Sequence, residues 1–331
     1  MKENLSPFAR RVSLKQLRAF GALVAEGSVS FAAQRLSLTP PAVSQQLQRL
    51  EEAAGGLPLY DRHSRGVRLT EAGRELLAAL ERVEAALADA AIALETLRGV
   101  SAGRVAIGMI STAKYFAPLA LAAFKRANPG VELAIKIGNR ETVLSALRSF
   151  ELDLAITGYP PEDFPVARAV LGPNPHVIIA IIAAPDHPLV GRPGVPLSVV
   201  GRETILLREP GSGTRALLRR LFPEEAPLGP RIEIGSNETI KQAVMAGMGI
   251  ALISAHTCAA ELADRRLALI DAEGLPVLRQ WFVIRRADKR LLPVAEALWR
   301  HLVASAAEFL PRLPATPMPG RTVRTEPETV P

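Results

Sequence analysis

Four short stretches of this 331-residue chain place hydroxyl, amide and cationic side chains where an apolar run gives way to helical periodicity. MISTAKYFAP offers Ser111, Thr112 and Lys114, and GNRETV offers Asn139, Arg140 and Thr142. REPGSGTRALLRR carries Glu209, Ser212, Gly213, Thr214 and Arg215, while SNETIKQAV carries Asn237, Glu238, Thr239 and Lys241. The first N–H groups of a helix lack an intrahelical partner, so anions settle there, and glycine lets the backbone come close to them. Taken singly, each stretch reads equally well as ordinary capping. Together they put Lys114, Arg140, Arg215 and Lys241 at helix starts, enough cation to neutralise a multiply charged ligand. The expected ligand is a small anionic metabolite, and a phosphorylated one fits best.

Other chemistries find less support. GSGTR lacks the lysine and the spacing of a nucleotide-binding phosphate loop. His63, His176, His187, His256 and His301 are scattered without metal-ligand spacing, and the single cysteine, Cys258, reads as a helix-facing core residue. No metal site, cofactor or catalytic residue is expected. An enzyme remains a competing class, as does a transport-type solute-binding protein, which would have no use for the basic N-terminal segment.

That segment holds a second chemistry, in SLTPPAVSQQLQRLEE. Thr39 is a good N-cap, and proline is tolerated in the first turn, where its missing N–H would have been orphaned anyway. Turning Val43, Leu47 and Leu50 inward at about 100° per residue puts Pro41, Gln45 and Gln48 on the opposite face, flanked by Ser44 and Arg49. Glutamine pairs bidentately with adenine, serine reaches a base edge or a phosphate, and arginine binds phosphate or guanine. A solvated helix face is the plain alternative. The ribbon LYDRHSRGVRLT shifts the balance, because Arg62, Arg65 and Arg68 surround Gly66 in an expected hairpin with that glycine at the turn. The chain carries a net charge of +7, and residues 1–70 hold ten basic against five acidic residues. A polyanion is the expected partner of this segment.

The elements that must position these groups follow from periodicity. LKQLRAFGALVAEG reads as a helix ending at Gly27, and SVSFAAQRLSL as a second helix capped by Ser28 with Phe31, Ala32 and Leu36 on one face. With the helix after Thr39 they form a helix-turn-helix over residues 1–70. Residues 71–99 form a long helix whose seam of Leu76, Leu80, Val83, Leu87, Ala90, Leu94 and Leu97 alternates spacings of four and three, the period of a self-associating stripe. Gly99 and Gly103 flank a hinge. From residue 103 to 310 strands alternate with helices, an α/β pattern with parallel sheet. It divides into one lobe over residues 103–167 and 278–310 and another over 168–277, with helices over 114–127, 142–150 and 289–310. Residues 311–331 are rich in proline and poor in large apolar side chains, the composition of a disordered tail. MKENLSPFARRVS lacks the apolar core of a secretory signal, and runs such as HVIIAIIAAP are too short to span a bilayer. A cytoplasmic protein without membrane contact is expected.

The run QLRAFGALVAEGSVSFAAQRLSLTPPAVSQQLQRLEEAAGGLPLYDRHSRGVRLTEAG resembles the winged helix-turn-helix of LysR-type transcriptional regulators, although AGGLPLYDR stands where the family usually has LGxxLF. The resemblance implies a two-lobed, periplasmic-binding-protein-like effector domain, dimers paired by the linker helix and assembled into tetramers, and an interrupted inverted repeat as DNA target. Transcription activation, with RNA polymerase as a possible partner, belongs to the same implication. STAKYFAP and REPGSGTR are similar to the effector-domain signatures of CbbR-type regulators of Calvin-cycle operons. A sugar phosphate, phosphorylated acid or nucleotide is the ligand this implies.

Overall fold

The computed structural model describes residues 6–63, 66–97, 103–172, 177–222 and 228–310. The chain forms two compact units that divide after residue 91.

The first unit opens with a short helix, α1 (Pro7–Arg11), followed by α2 (Leu14–Glu26), α3 (Val29–Leu36) and α4 (Pro40–Ala53). Local signals fix each boundary. Ser13 and Gln16 form a reciprocal capping box at the start of α2, and Gly27 ends it in the left-handed conformation. Ser28 caps α3 and Thr39 caps α4. The apolar faces meet in one core built on Phe20, Leu23, Ala32, Ala33, Val43, Leu47, Leu50 and Leu59. Each large aliphatic buried there stabilises the unit by roughly 1.5–3 kcal/mol. Phe31 departs from the expectation: it is 61% exposed, and Ala33 takes the inward position instead. Strands β1 (Tyr60–His63) and β2 (Gly66–Leu69) pair antiparallel with His63 opposite Gly66, so Gly66 is the first residue of the second strand. Helix α5 (Glu71–Leu97) follows Thr70, whose hydroxyl accepts the Gly73 N–H at 3.1 Å.

In the second unit, a five-stranded sheet runs in the order β4 (Glu132–Gly138), β3 (Arg104–Ile110), β5 (Leu154–Thr157), β13 (Trp281–Arg286) and β6 (Val166–Leu171). Helices α6 (Ala117–Ala127), α7 (Arg140–Arg148) and α12 (Pro293–Phe309) belong to this lobe. The second sheet has the order β11 (Ala268–Ile270), β7 (Val177–Ala183), β10 (Ile250–Ser254), β8 (Ile205–Leu207) and β9 (Arg231–Glu233), with β12 (Val277–Arg279) also paired to β7. Its helices are α8 (Leu197–Val200), α9 (Gly213–Leu221), α10 (Asn237–Met245) and α11 (Ala259–Ala263).

Both sheets are mixed, where the alternation of elements suggested parallel ones. β13 returns from the second lobe and runs antiparallel to β5 and β6; β7 enters from the first and runs antiparallel to β10, β11 and β12. The crossings also correct the lobe limits. Residues 168–171 stay in the first sheet as part of β6, and residues 278 and 279 stay in the second as part of β12. Three helices start elsewhere than expected: α6 begins at Ala117, after a single 3-10 turn over Ala113–Tyr115, α7 at Arg140 and α12 at Pro293. Pro118 and Pro293 sit in first helical turns, where a missing N–H costs nothing. The hinge residues 99–102 and the tail 311–331 lie outside the described residues.

Candidate functional site

Helix α4 turns Val43, Leu47 and Leu50 into the core, and Pro41, Ser44, Gln45, Gln48 and Arg49 lie exposed. The Thr39 hydroxyl accepts the Ala42 N–H at 3.4 Å, fixing where this face begins. The Gln48 amide donates to Glu52 at 3.2 Å, leaving Gln45 as the less restrained glutamine. Arg68 is exposed on β2, the Arg62 side chain lies outside the described residues, and so does Arg65. Two of the basic residues counted toward a polyanion are already answered. Arg18 donates to Glu84 at 2.6 Å and 3.0 Å, and Arg35 to Glu26 at 2.9 Å.

The second unit gathers part of the expected ligand set around one cavity of about 60 Å³. Ser111, Thr112, Asn139, Arg140, Ser212, Gly213 and Thr214 all line it. Ser111 and Thr112 follow β3, Asn139 caps α7, and Ser212 precedes α9, so three strand-to-helix junctions converge here. The Asn139 Oδ1 accepts the Thr142 N–H and hydroxyl, both at 2.9 Å, which turns the Asn139 amide nitrogen toward the Pro210 carbonyl at 3.3 Å. Gly211 makes this lobe-to-lobe approach possible. Its φ is +83°, and a Cβ would sit 2.5 Å from a carboxylate oxygen of Glu141.

The charged residues sort differently from the sequence reading. Arg140 lines the cavity, its guanidinium 5.6 Å from the Tyr159 ring centroid. It forms no salt bridge with a carboxylate among the described residues, and burial, with Arg279 nearby, holds its basicity below the ordinary arginine value. Lys241 is buried elsewhere, 2.8 Å from Glu261 and 3.0 Å from Glu238. The Tyr115 hydroxyl adds a 3.1 Å hydrogen bond to Glu238. Lys114 lies over the Tyr115 ring at 5.1 Å and does not line the cavity. Arg215 donates to the Arg208 carbonyl at 2.8 Å and to the Glu233 carboxylate, so its charge is spent on β9. Asn237, Glu238, Thr239 and Thr142 also lie outside the lining, and α10 is capped by Ser236, whose hydroxyl accepts the Thr239 N–H at 3.4 Å.

Arg208, Arg279, Ser254 and Trp281 also line the cavity, with Thr157, Gly158 and Tyr159, and were not singled out from the sequence. Arg208 is 5% exposed and stands at the carboxyl end of β8. It donates to both Glu209 carboxylate oxygens, at 2.7 and 2.8 Å, to Ser111 Oγ at 3.1 Å across the lobes, and to Asn237 Oδ1. The Ser254 Oγ and the Trp281 indole nitrogen are fully buried and have no hydrogen-bond partner among the described residues. A buried polar group left unpaired costs on the order of 1–3 kcal/mol, so these two call for an acceptor. An open groove of about 700 Å³ adjoins the cavity and shares Arg140, Tyr159, Ser212 and Gly213 with it. The signal for Arg208 was present, since strand ends beside glycine loops are where α/β ligands sit. For Trp281 and Arg279 no local signal existed, because a chain crossing brings them to the cavity.

Comparison with known proteins places both units. Residues 14–74 match the bacterial regulatory helix-turn-helix protein of the lysR family, and residues 98–307 match the LysR substrate binding domain. The chain is 48% identical over 305 residues to the HTH-type transcriptional regulator CbbR of Xanthobacter flavus, covering 91% of this chain and 90% of that protein. It is 47% identical over 294 residues to CbbR of Rhodospirillum rubrum, covering 88% of this chain and 96% of that one. Among solved structures, the Synechocystis PCC6803 CcmR regulatory domain in complex with 2-PG is 34% identical, covers 61% of this chain and 97% of that chain, and superposes with a TM-score of 0.57. With a LysR helix-turn-helix, a two-lobed α/β unit and relatives that are regulators rather than enzymes, the chain belongs to the LysR family of transcriptional regulators.

Proposed function

We propose that this regulator controls carbon-fixation genes and answers to a small phosphorylated metabolite held between the lobes of its second unit. The observation that carries the ligand reading is the cavity wall: Arg140, which donates to the Pro160 carbonyl and has no ion pair among the described residues, beside buried donors on Ser254 and Trp281 that have no acceptor there. Unmet donors with positive charge select a ligand rich in acceptors and negative charge. The CbbR relatives support the operon class, and the CcmR complex with 2-PG supports the ligand class. At about 60 Å³ the cavity is small beside the roughly 300–1,000 Å³ of ligand pockets, so ligand entry requires side chains or lobes to give way.

On the DNA side, Pro41, Ser44, Gln45 and Gln48 contact base edges of an inverted repeat, and Arg49, Arg62, Arg65 and Arg68 contact phosphates. The exposed part of α5 pairs two copies, and dimers join into tetramers. The protein acts in the cytoplasm, with RNA polymerase as a candidate partner.

The test combines gel-shift titration with calorimetry on the full chain. Gln45→Ala is expected to weaken cognate DNA more than random duplex. Arg68→Ala should weaken both and reduce the slope of log K against log salt by about 1. Binding of 2-PG or a comparable phosphorylated acid should alter DNA affinity or bending. Absence of duplex binding at low ionic strength would overturn the regulator reading, and exclusive binding of neutral ligands would overturn the ligand reading.

A further inference from the structure

The anion seat on Arg208 is already occupied. Glu209, the next residue in the chain, turns its carboxylate back so that both oxygens accept from the Arg208 guanidinium, at 2.7 and 2.8 Å. This is the paired geometry in which a guanidinium grips a phosphate. Ser111, on the opposite lobe, accepts from the same guanidinium at 3.1 Å, so the seat lies where the two lobes meet.

We propose that Glu209 is an affinity-setting residue, a tethered carboxylate that holds the Arg208 seat until a phosphorylated ligand displaces it. The proposal rests on the cavity being an anion site, and two observations support it. Arg208 does not depend on Glu209 for its position, because Ser111 and Asn237 hold the remaining edge of the guanidinium. The Glu209 side chain is 23% exposed, so it can rotate outward into water without becoming a buried unpaired charge. Burial alone would raise the Glu209 pKa, but the hydrogen bonds and charge of Arg208 outweigh it and hold the carboxyl below the usual carboxylate range. The competitor is therefore charged at neutral pH. Being adjacent in sequence, it competes at a high effective concentration.

Calorimetry of the full chain with 2-PG and with inorganic phosphate, on wild type, Glu209→Gln and Arg208→Ala, tests this. A competitor predicts that Glu209→Gln binds on the order of tenfold more tightly, since hydrogen bonds to charged groups are worth more than one such factor. Glu209→Asp keeps the charge but shortens its reach, and should fall between the two. Weaker or unchanged binding by Glu209→Gln, with Arg208→Ala losing binding, would make Glu209 a positioning group and overturn the proposal while leaving the anion site intact. If wild type and Glu209→Gln bound neither probe, the anion-site reading would fall and the proposal with it.

Discussion

Arg140 and Lys241 show how burial alone misleads about which cation serves a ligand. Lys241 is 3% exposed and looks poised for an anion, yet Glu238 and Glu261 already answer it. Removing it in Lys241→Met leaves Glu261 buried without its partner, and equilibrium denaturation should register a loss of about 3 kcal/mol. The pH dependence follows from the same contacts. Burial alone would lower the Lys241 value, but Glu261 and Glu238 overcome that and raise it above the ordinary lysine value. Its contribution to stability is then complete below the unfolded lysine value and disappears as pH rises through the folded one, a step that Lys241→Met should lack. Cys258 gives a second check at this scale. Burial pushes its thiol up to about 12, so a thiol reagent at pH 8 should leave the native protein unlabelled and react on unfolding.

Helix α5 divides its apolar seam between two tasks. Leu76 and Leu80 are buried in the core of the first unit, whereas Val83, Leu87 and Leu94 are 40%, 45% and 56% exposed. An exposed stripe of this spacing is stable as a pairing surface for a second copy. Leu87→Lys with Leu94→Lys is expected to shift sedimentation from dimer or tetramer toward monomer. The unfolding of the first unit, measured by circular dichroism at fixed concentration, should change far less. Helix α4 has the same division of labour, with one face in the core and one in solvent, and Thr39 as the common origin of both.

At the scale of the whole molecule, the proposed ligand site depends on the chain passing between lobes twice, once on entering β7 and once on leaving β12. Ser111 with Arg208 and Asn139 with Pro210 join the lobes directly. A ligand that replaces or reinforces these contacts binds only the folded, apposed form, so it must stabilise it. At one hundred times its dissociation constant the gain is about 2.7 kcal/mol. Thermal unfolding with and without 2-PG should show the second unit rising in melting temperature, and Arg140→Ala should remove most of that rise.

The sequence by itself determined α2, α3 and α4, the caps at Ser28 and Thr39, the outward row on α4 and the length of α5, because these depend on contacts a few residues apart. It also located the strand-to-helix junctions at Ser111, Asn139 and Ser212, where glycine, hydroxyl and amide side chains gather for local reasons. Tertiary structure alone decided which junctions meet. Lys114, Arg215 and Lys241 share the local pattern of Arg140, but Lys114 lies over the neighbouring Tyr115 ring, and Glu233 and Glu261, from other elements, claim Arg215 and Lys241. Arg279, Ser254 and Trp281 reach the cavity by strand crossings whose register no local periodicity encodes. Pairing between remote strands and the burial of one charge beside another are global properties of the packed chain, and they assigned the wall of the site.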